Sequence, residues 1–384
     1  MAIYLDNAAT SFPKPESVYR AVDHYLREVG ASAGRGAYRR GLQADRLVYA
    51  ARTALARLFN VPDASRIVFT ANATEAINLA LKGLLAPGDE VVTSSMEHNA
   101  VWRPLKRLER ERGVRIRSIK CARDGSLDLK QVEEAVGKGT KMVVTTHASN
   151  LTGTLMPVAE IAQIAHRHGV IMMVDAAQTA GAYPIDIQAL DIDLLAFTGH
   201  KALFGPPGTG GLYIAPHLLP EPLKEGGTGA ESLLEEQPPT LPERYEAGTP
   251  NTAGLAGLGA GVEFILQEGV EKIQRREKEL LRSALEELAA VPHITIYGPR
   301  DPEKQMGVIS FNLEQIPADE VAYLLDSVYG IMVRTGMHCA PQAHSTVGTL
   351  ETGAVRMGLG YFNTENDLAS LANALKEISR EMAR

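Results

Sequence analysis

Between residues 66 and 215 the sequence alternates between two hydrophobic rhythms, and this alternation confines the fold more than any other feature. RIVFT (66–70) is short, apolar and β-branched, which predicts a strand, while ATEAINLALKGLL (73–85) spaces its apolar residues as a helix does, with Gly88 following. EVVTSS (90–95) reads as strand and HNAVWRPLKRLERER as helix. VRIRSI, LKQVEEAV and KMVVTTH repeat the alternation, VAEIAQIAHRHG is a helix ending at glycine, and VIMMVD, DLLAFTG and GGLYIA are further strands. This order predicts an α/β fold with a mostly parallel sheet covered by helices. Ligands of such sheets gather beyond the carboxyl ends of the strands, where Thr70, His147, Asp175 and Thr198 fall.

The rhythm changes after about residue 220. EPLKEGGTGAESLLEEQPPTLPERYEAGTPN is rich in Gly, Pro and Glu and reads as an excursion. A helical stretch from Leu255 to Ala289 follows, then HITIYG, GVISFNL, a helix from Ala318 to Ser327, IMVRTG, AVRMGLG and a closing helix. This α+β pattern predicts a second, smaller domain. The expected division is a large domain over 15–255, and a smaller one from 1–14 and 256–384. A chain of 384 residues that is 45% hydrophobic has ample material for both.

The formal charge of −7, with no basic block, argues against nucleic acid as a partner; the arginines between Arg103 and Arg117 are interleaved with glutamates and apolar residues, as on a solvated helix. Two cysteines, Cys121 and Cys339, make a disulfide framework implausible and a reducing cytoplasm the expected setting. MAIYLDNAAT lacks the basic and apolar regions of a signal peptide, and no apolar run reaches membrane-spanning length.

Lys201, in FTGHKALFGPPGTGGL, and Asp175, closing VIMMVD, carry the sharpest chemical signal. Alone, each has an ordinary reading: a solvated lysine, a carboxylate capping a helix. An ionised Asp175 beside IMMV is costly without a cationic partner, and a protonated pyridine nitrogen is one. Lysine as a Schiff-base former and an acid on the ring nitrogen are what pyridoxal 5'-phosphate chemistry needs. Asn72-Ala73-Thr74-Glu75 resembles a capping box, and a helix start there offers free N–H groups to a phosphate, as well as being an ordinary cap. Thr198 and His200 are further donors. His98, beyond a strand, suits stacking on a planar ring or a plain helix start. Asn150 and Gln178, at strand ends, suit hydrogen bonds to a ring oxygen or simple turns.

Cys339 lies in RTGMHCAPQAHSTVGT, whose Gly, Pro and Ser predict an exposed, mobile loop. Beside His338 it is a candidate nucleophile. A metal site from His338, Cys339 and His344 matches no standard zinc spacing. Cys121 follows a strand-like run and reads as structural. Arg334 and Arg356 flank the loop, and either suits a substrate carboxylate, or a surface ion pair.

Together these segments resemble the cysteine desulfurases of the class V aminotransferase-like group, fold type I enzymes of pyridoxal phosphate. LDNAAT, NATEAINL, EHNA, SNLTGT, VDAAQT, FTGHKALFGPPGTGGLY, EAGTPN, RTGMHCA and VRMGLGYFNTENDL carry the resemblance, which runs nearly end to end. It implies Lys201 as the Schiff-base lysine, Asp175 as the pyridinium partner and His98 as the stacking histidine. It places Asn150 and Gln178 near substrate and ring, and Thr74, Thr198 and His200 on the phosphate. Thr249 matches a threonine that reaches the neighbouring subunit's phosphate, which implies a homodimer. Arg356 matches the carboxylate anchor and Cys339 the persulfide-forming cysteine. The short segment between them resembles the group II, Suf-type and selenocysteine-lyase-like branch. The activity implied is conversion of L-cysteine to L-alanine, with sulfur passed to an acceptor protein, as in iron–sulfur cluster assembly; selenocysteine lyase, cysteine-sulfinate desulfinase and class V aminotransferase activities are the alternatives. Ala73 stands for a hydroxyl residue common in relatives, and Met337 and Tyr38 stand where histidine is frequent.

Overall fold

The computed structural model of the protein describes residues 2–34, 36–229 and 231–382, Met382 by its backbone alone. β1 (Ile3–Tyr4), α1 (Glu16–His24) and α2 (Arg39–Leu58) precede the alternating region. That region then runs β2 (Ile67–Thr70), α3 (Ala73–Leu84), β3 (Glu90–Ser94), α4 (Asn99–Arg112), β4 (Arg115–Ile119), α5 (Leu129–Ala135), β5 (Thr140–Thr146), α6 (Val158–Arg167), β6 (Ile171–Asp175), β7 (Leu194–Thr198) and β8 (Gly210–Ile214). The remainder is α7 (Thr252–Glu268), α8 (Val270–Ala289), β9 (Ile294–Tyr297), β10 (Val308–Leu313), α9 (Ala318–Tyr329), β11 (Ile331–Met332), β12 (Arg334–Gly336), α10 (Pro341–Val347), β13 (Ala354–Gly358) and α11 (Glu365–Met382).

The large sheet has the order β2-β8-β7-β6-β5-β3-β4. All pairings are parallel except those of β8, which is antiparallel to both β7 and β2. The connection from Gly199 to Thr209 contains no helix, so the chain turns back on itself there; a parallel return needs a crossover of a dozen or more residues. Lys201 sits inside this reversal. A side chain at Gly199 would collide with Thr209 Oγ1, so the reversal depends on glycine at that position.

The strands β6 and β7 are buried along their length, and β5 everywhere but at Lys141, as expected of a sheet covered on both faces. One core gathers around that sheet, and a second forms from α8, α9, α11 and the antiparallel sheet β12-β13-β10-β9. The helical stretch expected from Leu255 to Ala289 is two helices, because Gly269 takes a positive φ and ends α7. α7 crosses the expected boundary at residue 255, and its Leu258, Val262 and Ile265 pack in the first core.

The first strand meets segments that lie more than 320 positions further on. β1 pairs in parallel with β11, Asp6 bridges to Gly358, and Asn363 Nδ2 donates to the Tyr4 carbonyl at 3.1 Å.

Candidate active site

A cavity of about 210 Å³ opens beyond the carboxyl ends of β6 and β7, between the two cores. Its walls carry His98, Asn150, Asp175, Gln178, Thr198, His200, Lys201, Arg334, Cys339 and Arg356, together with Ala73 and Thr74 at the start of α3. Thr249 is exposed and does not line this cavity of its own chain. Of the four strand-end residues, Asp175 and Thr198 reach the cavity, whereas Thr70 and His147 do not.

The α3 terminus is capped as its sequence predicts. Asn72 Oδ1 accepts from the Glu75 N–H at 2.9 Å, and Glu75 Oε2 accepts from the Ala71 N–H at 2.6 Å. Ala73 and Thr74, ahead of the capped amide, line the cavity, and the first turn of a helix favours an anion through N–H groups without intrahelical partners and through the helix dipole. The buried Thr198 Oγ1 has no hydrogen-bond partner among the described residues.

Asp175 is 4% exposed, and its Oδ1 accepts from the Ala177 N–H at 2.9 Å. Burial pushes its carboxyl above the usual range, against the Ala177 amide and the charge of Lys201. Lys201 is held down to about 8, first by burial and then by Arg356, with Asp175 opposing. His98 is lowered to about 4 by burial, then by the charges of Lys201 and Arg356. Its Nδ1 accepts from the Ala100 N–H at 2.9 Å, so the neutral ring carries its proton on Nε2. His200 is also lowered to about 4, by burial and then by Lys201 and Lys14. Its carbonyl, one bond from Lys201, receives the Ser11 N–H at 3.0 Å, Thr10 Oγ1 at 3.0 Å and Lys14 Nζ at 3.2 Å. The N-terminal segment thereby fixes the backbone from which Lys201 extends.

Arg356 is 2% exposed on β13. Nη1 donates to the Asn150 carbonyl and Nη2 to Asp6 Oδ1, both at 3.0 Å, while Nε has no partner among the described residues. Arg334 lies directly across from it in the β12–β13 pairing.

The segment around Cys339 departs from the expected mobile loop. Residues 337–340 form a turn, and Pro341 then opens α10, which Gly348 closes with a positive φ. Cys339 is exposed, but His338 is buried. Both residues hold left-handed backbone, φ 47° and 56°, at a cost of about 1–2 kcal/mol each for a side chain. The turn is pinned on both sides: Asn150 Nδ2 donates to the His338 carbonyl at 2.6 Å, and the Asn99 N–H to the Cys339 carbonyl at 2.8 Å. His338 is pushed down to about 3, by burial and then by Arg356, so it brings no positive charge to the thiol. Cys121 is buried and pushed up to about 11, mainly by burial, in keeping with a structural role.

Sequence reasoning on single residues missed Asp6 and Glu97. Asp6 lies in LDNAAT, where nothing local marks it as the partner of a residue near the other end of the chain. Glu97 precedes His98 and is 1% exposed, pushed up to about 8 by burial; its Oε1 accepts from the Thr146 N–H at 3.1 Å and from Ser94 Oγ. A glutamate beside a turn reads as solvated, and only the buried SS preceding it hints otherwise.

Residues 3–371 match the family model described as Aminotransferase class-V. A probable cysteine desulfurase of Methanothermobacter thermautotrophicus is 39% identical, over 98% of this chain and 94% of its own. A cysteine desulfurase of Escherichia coli O127:H6 is 37% identical, over 98% of this chain and 93% of its own. The apo structure of cysteine desulfurase from Thermococcus onnurineus NA1 superposes with a TM-score of 0.94 at 35% identity, covering 99% of this chain and 95% of that one. An S-sulfonic acid form of an Escherichia coli cysteine desulfurase superposes at 0.88 and 30% identity, covering 99% and 95%.

Proposed function

The chain belongs to the class-V aminotransferase family and, within it, to the cysteine desulfurases, and from that membership we propose that it converts L-cysteine to L-alanine, keeping the sulfur on Cys339 as a persulfide. The observation that carries this reading is one cavity walled by Lys201, Asp175 and Cys339 together.

The residues fit pyridoxal 5'-phosphate. Ala73 and Thr74 at the first turn of α3, His200, and Thr198 Oγ1, unpartnered among the described residues, suit its phosphate. The buried Asp175 lacks a full cationic partner, which suits the ring nitrogen, and the neutral imidazole of His98 suits the ring face, with Gln178 beside it. Lys201 is the amine that would tether the coenzyme. Thr249, exposed and away from its own cavity, would serve the site of a second copy, so the active unit is a homodimer. When bound, the coenzyme supplies an electron sink for the substrate's Cα and Cβ.

The chain's own groups do the rest. Arg356, flanked by Arg334 and with Nε unpartnered among the described residues, binds the substrate carboxylate, which Asn150 borders. Lys201, with its proton affinity lowered, takes the Cα proton at neutral to mildly alkaline pH. The Cys339 thiolate attacks the substrate sulfur: an S–S bond forms, the Cβ–S bond breaks, and Cβ gains a proton. The sum is L-cysteine plus the Cys339 thiol giving L-alanine plus the Cys339 persulfide. A thiol acceptor, on a partner protein or small molecule, then takes the outer sulfur. The compartment this implies is the cytoplasm; no helix among the described residues is long and apolar enough to cross a membrane.

Measuring alanine and sulfide from L-cysteine, with and without reductant, tests this reading. Stoichiometric alanine without reductant, and turnover with it, is the expected result. Alanine formed only with a keto-acid co-substrate would put an aminotransferase in its place.

A further inference from the structure

Behind the Cys339 turn lies a row of buried side chains that the proposed chemistry does not use. His344, fully buried on α10, lies edge to edge with His338, ring centroids 5.5 Å apart and planes within 10°. His338 Nδ1 and His344 Nε2 are 3.2 Å apart. His344 Nδ1 lies 2.7 Å from Thr349 Oγ1, and His338 Nε2 lies 3.4 Å from the Arg334 carbonyl.

These contacts admit one consistent set of protons. The Arg334 carbonyl only accepts, so His338 carries its proton on Nε2 and its Nδ1 must accept. His344 therefore donates from Nε2, its Nδ1 accepts, and the Thr349 hydroxyl donates to it. Every member of the row is satisfied, and all donors point the same way. Reversing either ring would set two acceptors or two donors face to face in a buried place, where an unmade hydrogen bond is costly.

The row links four pieces of backbone: β12 at Arg334, the turn at His338, α10 at His344 and the segment after it at Thr349. The turn it supports has two consecutive left-handed non-glycine residues, and such a geometry persists only where its surroundings hold it. Asn150 and Asn99 hold the peptide groups of the turn. The histidine row holds a side chain of the turn, that of His338.

We propose that His344, oriented by Thr349, is a positioning residue for sulfur transfer: through His338 it holds the Cys339 turn where the thiol meets the substrate sulfur. This rests on the reading of Cys339 as the sulfur acceptor. The row is a support and not a proton donor to the thiol, so its loss should touch only the step that needs Cys339.

The test uses the coenzyme-loaded protein with three variants. His344→Leu fills the space without the hydrogen bonds; His344→Gln restores a donor and an acceptor; Thr349→Val removes the hydroxyl that donates to His344 Nδ1. With His344→Leu, kcat for alanine from L-cysteine should fall about tenfold, the scale of one lost orienting hydrogen bond. Alanine from L-selenocysteine, whose leaving group needs no attacking thiol, should stay within about twofold of wild type. His344→Gln should regain most of the loss. In the wild type, nitrogen-15 spectra of labelled histidines should show His338 and His344 as neutral rings protonated on Nε2, and Thr349→Val should shift the His344 Nδ1 resonance, which loses its hydrogen-bond donor, without changing the tautomer. Equal loss on both substrates, or a wild-type L-cysteine rate in His344→Leu, overturns the proposal. So does the opposite tautomer in the wild type, which can be read even where a variant fails to fold. Absence of cyanolysable sulfur on wild-type Cys339 would instead overturn the functional reading, and the spectra would still report on the row.

Discussion

Arg356 Nη2 and Asp6 Oδ1 lie 3.0 Å apart, although 350 positions separate them in the chain. The guanidinium is buried and Asp6 is partly open, so the pair neutralises a charge that would otherwise stand alone in the wall of the cavity. Asp6→Asn keeps the shape and removes the charge. It should lower the unfolding free energy by about 2 kcal/mol, less than a fully buried pair loses, because Asp6 is 21% exposed. Denaturant titration of the variant and the wild type measures the difference.

Lys201→Ala should lose the link between coenzyme and chain that borohydride fixes. Mass spectrometry of the reduced, digested wild type should find the adduct on Lys201. An adduct on Lys14, the other lysine beside this turn, would show that the tether had been assigned to the wrong amine.

Asp175→Asn should retain coenzyme yet lose most turnover, because an amide cannot hold a proton on a pyridine nitrogen as a carboxylate does. Wild-type turnover in this variant would remove Asp175 from the chemistry.

Cys339→Ser should abolish alanine formation from L-cysteine while sparing much of it from selenocysteine or cysteine sulfinate. Cyanolysable sulfur should appear on Cys339 after exposure to L-cysteine, and Cys121→Ser should change neither outcome, since that thiol is buried. No loss on L-cysteine in Cys339→Ser would exclude the persulfide.

Far from the cavity, His166 lies between two carboxylates, Nδ1 2.6 Å from Asp191 and Nε2 2.8 Å from Asp193. Burial works against its charge, but the bonds to Asp193 and Asp191 outweigh it and raise the folded-state pKa above 6.5. A raised pKa stabilises fully below the unfolded value and loses that contribution as pH rises through the folded one. The melting temperature of His166→Gln should therefore fall furthest below wild type at pH 6, and the gap should narrow as pH rises. A gap that widens with pH would reverse the assigned sign.

The alternating region was legible because strands with flat apolar runs and helices with spaced ones leave distinct traces between glycine stops. Local rhythm is silent about strand direction, so the reversal of β8 was hidden in GGLYIA. α10 was hidden because the small and polar residues of APQAHSTVG resemble a loop; Pro341 at its start and Gly348 at its end were the signals to weigh. In the site, Lys201 and Asp175 stood out because buried charge is rare. Glu97 and Asp6 did not, because their partners are set by tertiary folding. Thr249 was reached by resemblance alone, and nothing in its own surroundings marks it.

The meeting of the first strand with these distant segments bears on how the protein is made. Asp6, Thr10, Ser11 and Lys14 leave the ribosome well before the strand carrying Arg356, which lies more than 340 positions further on. Until then Asp6 has no cation, Gly358 is not there to bridge to it, and the wall beside Lys201 is open. The alternating region can form its sheet during synthesis, but the cavity is completed only once β13 has followed. Nascent chains stalled before β13 should thus protect the large sheet from protease while leaving the first residues open to it.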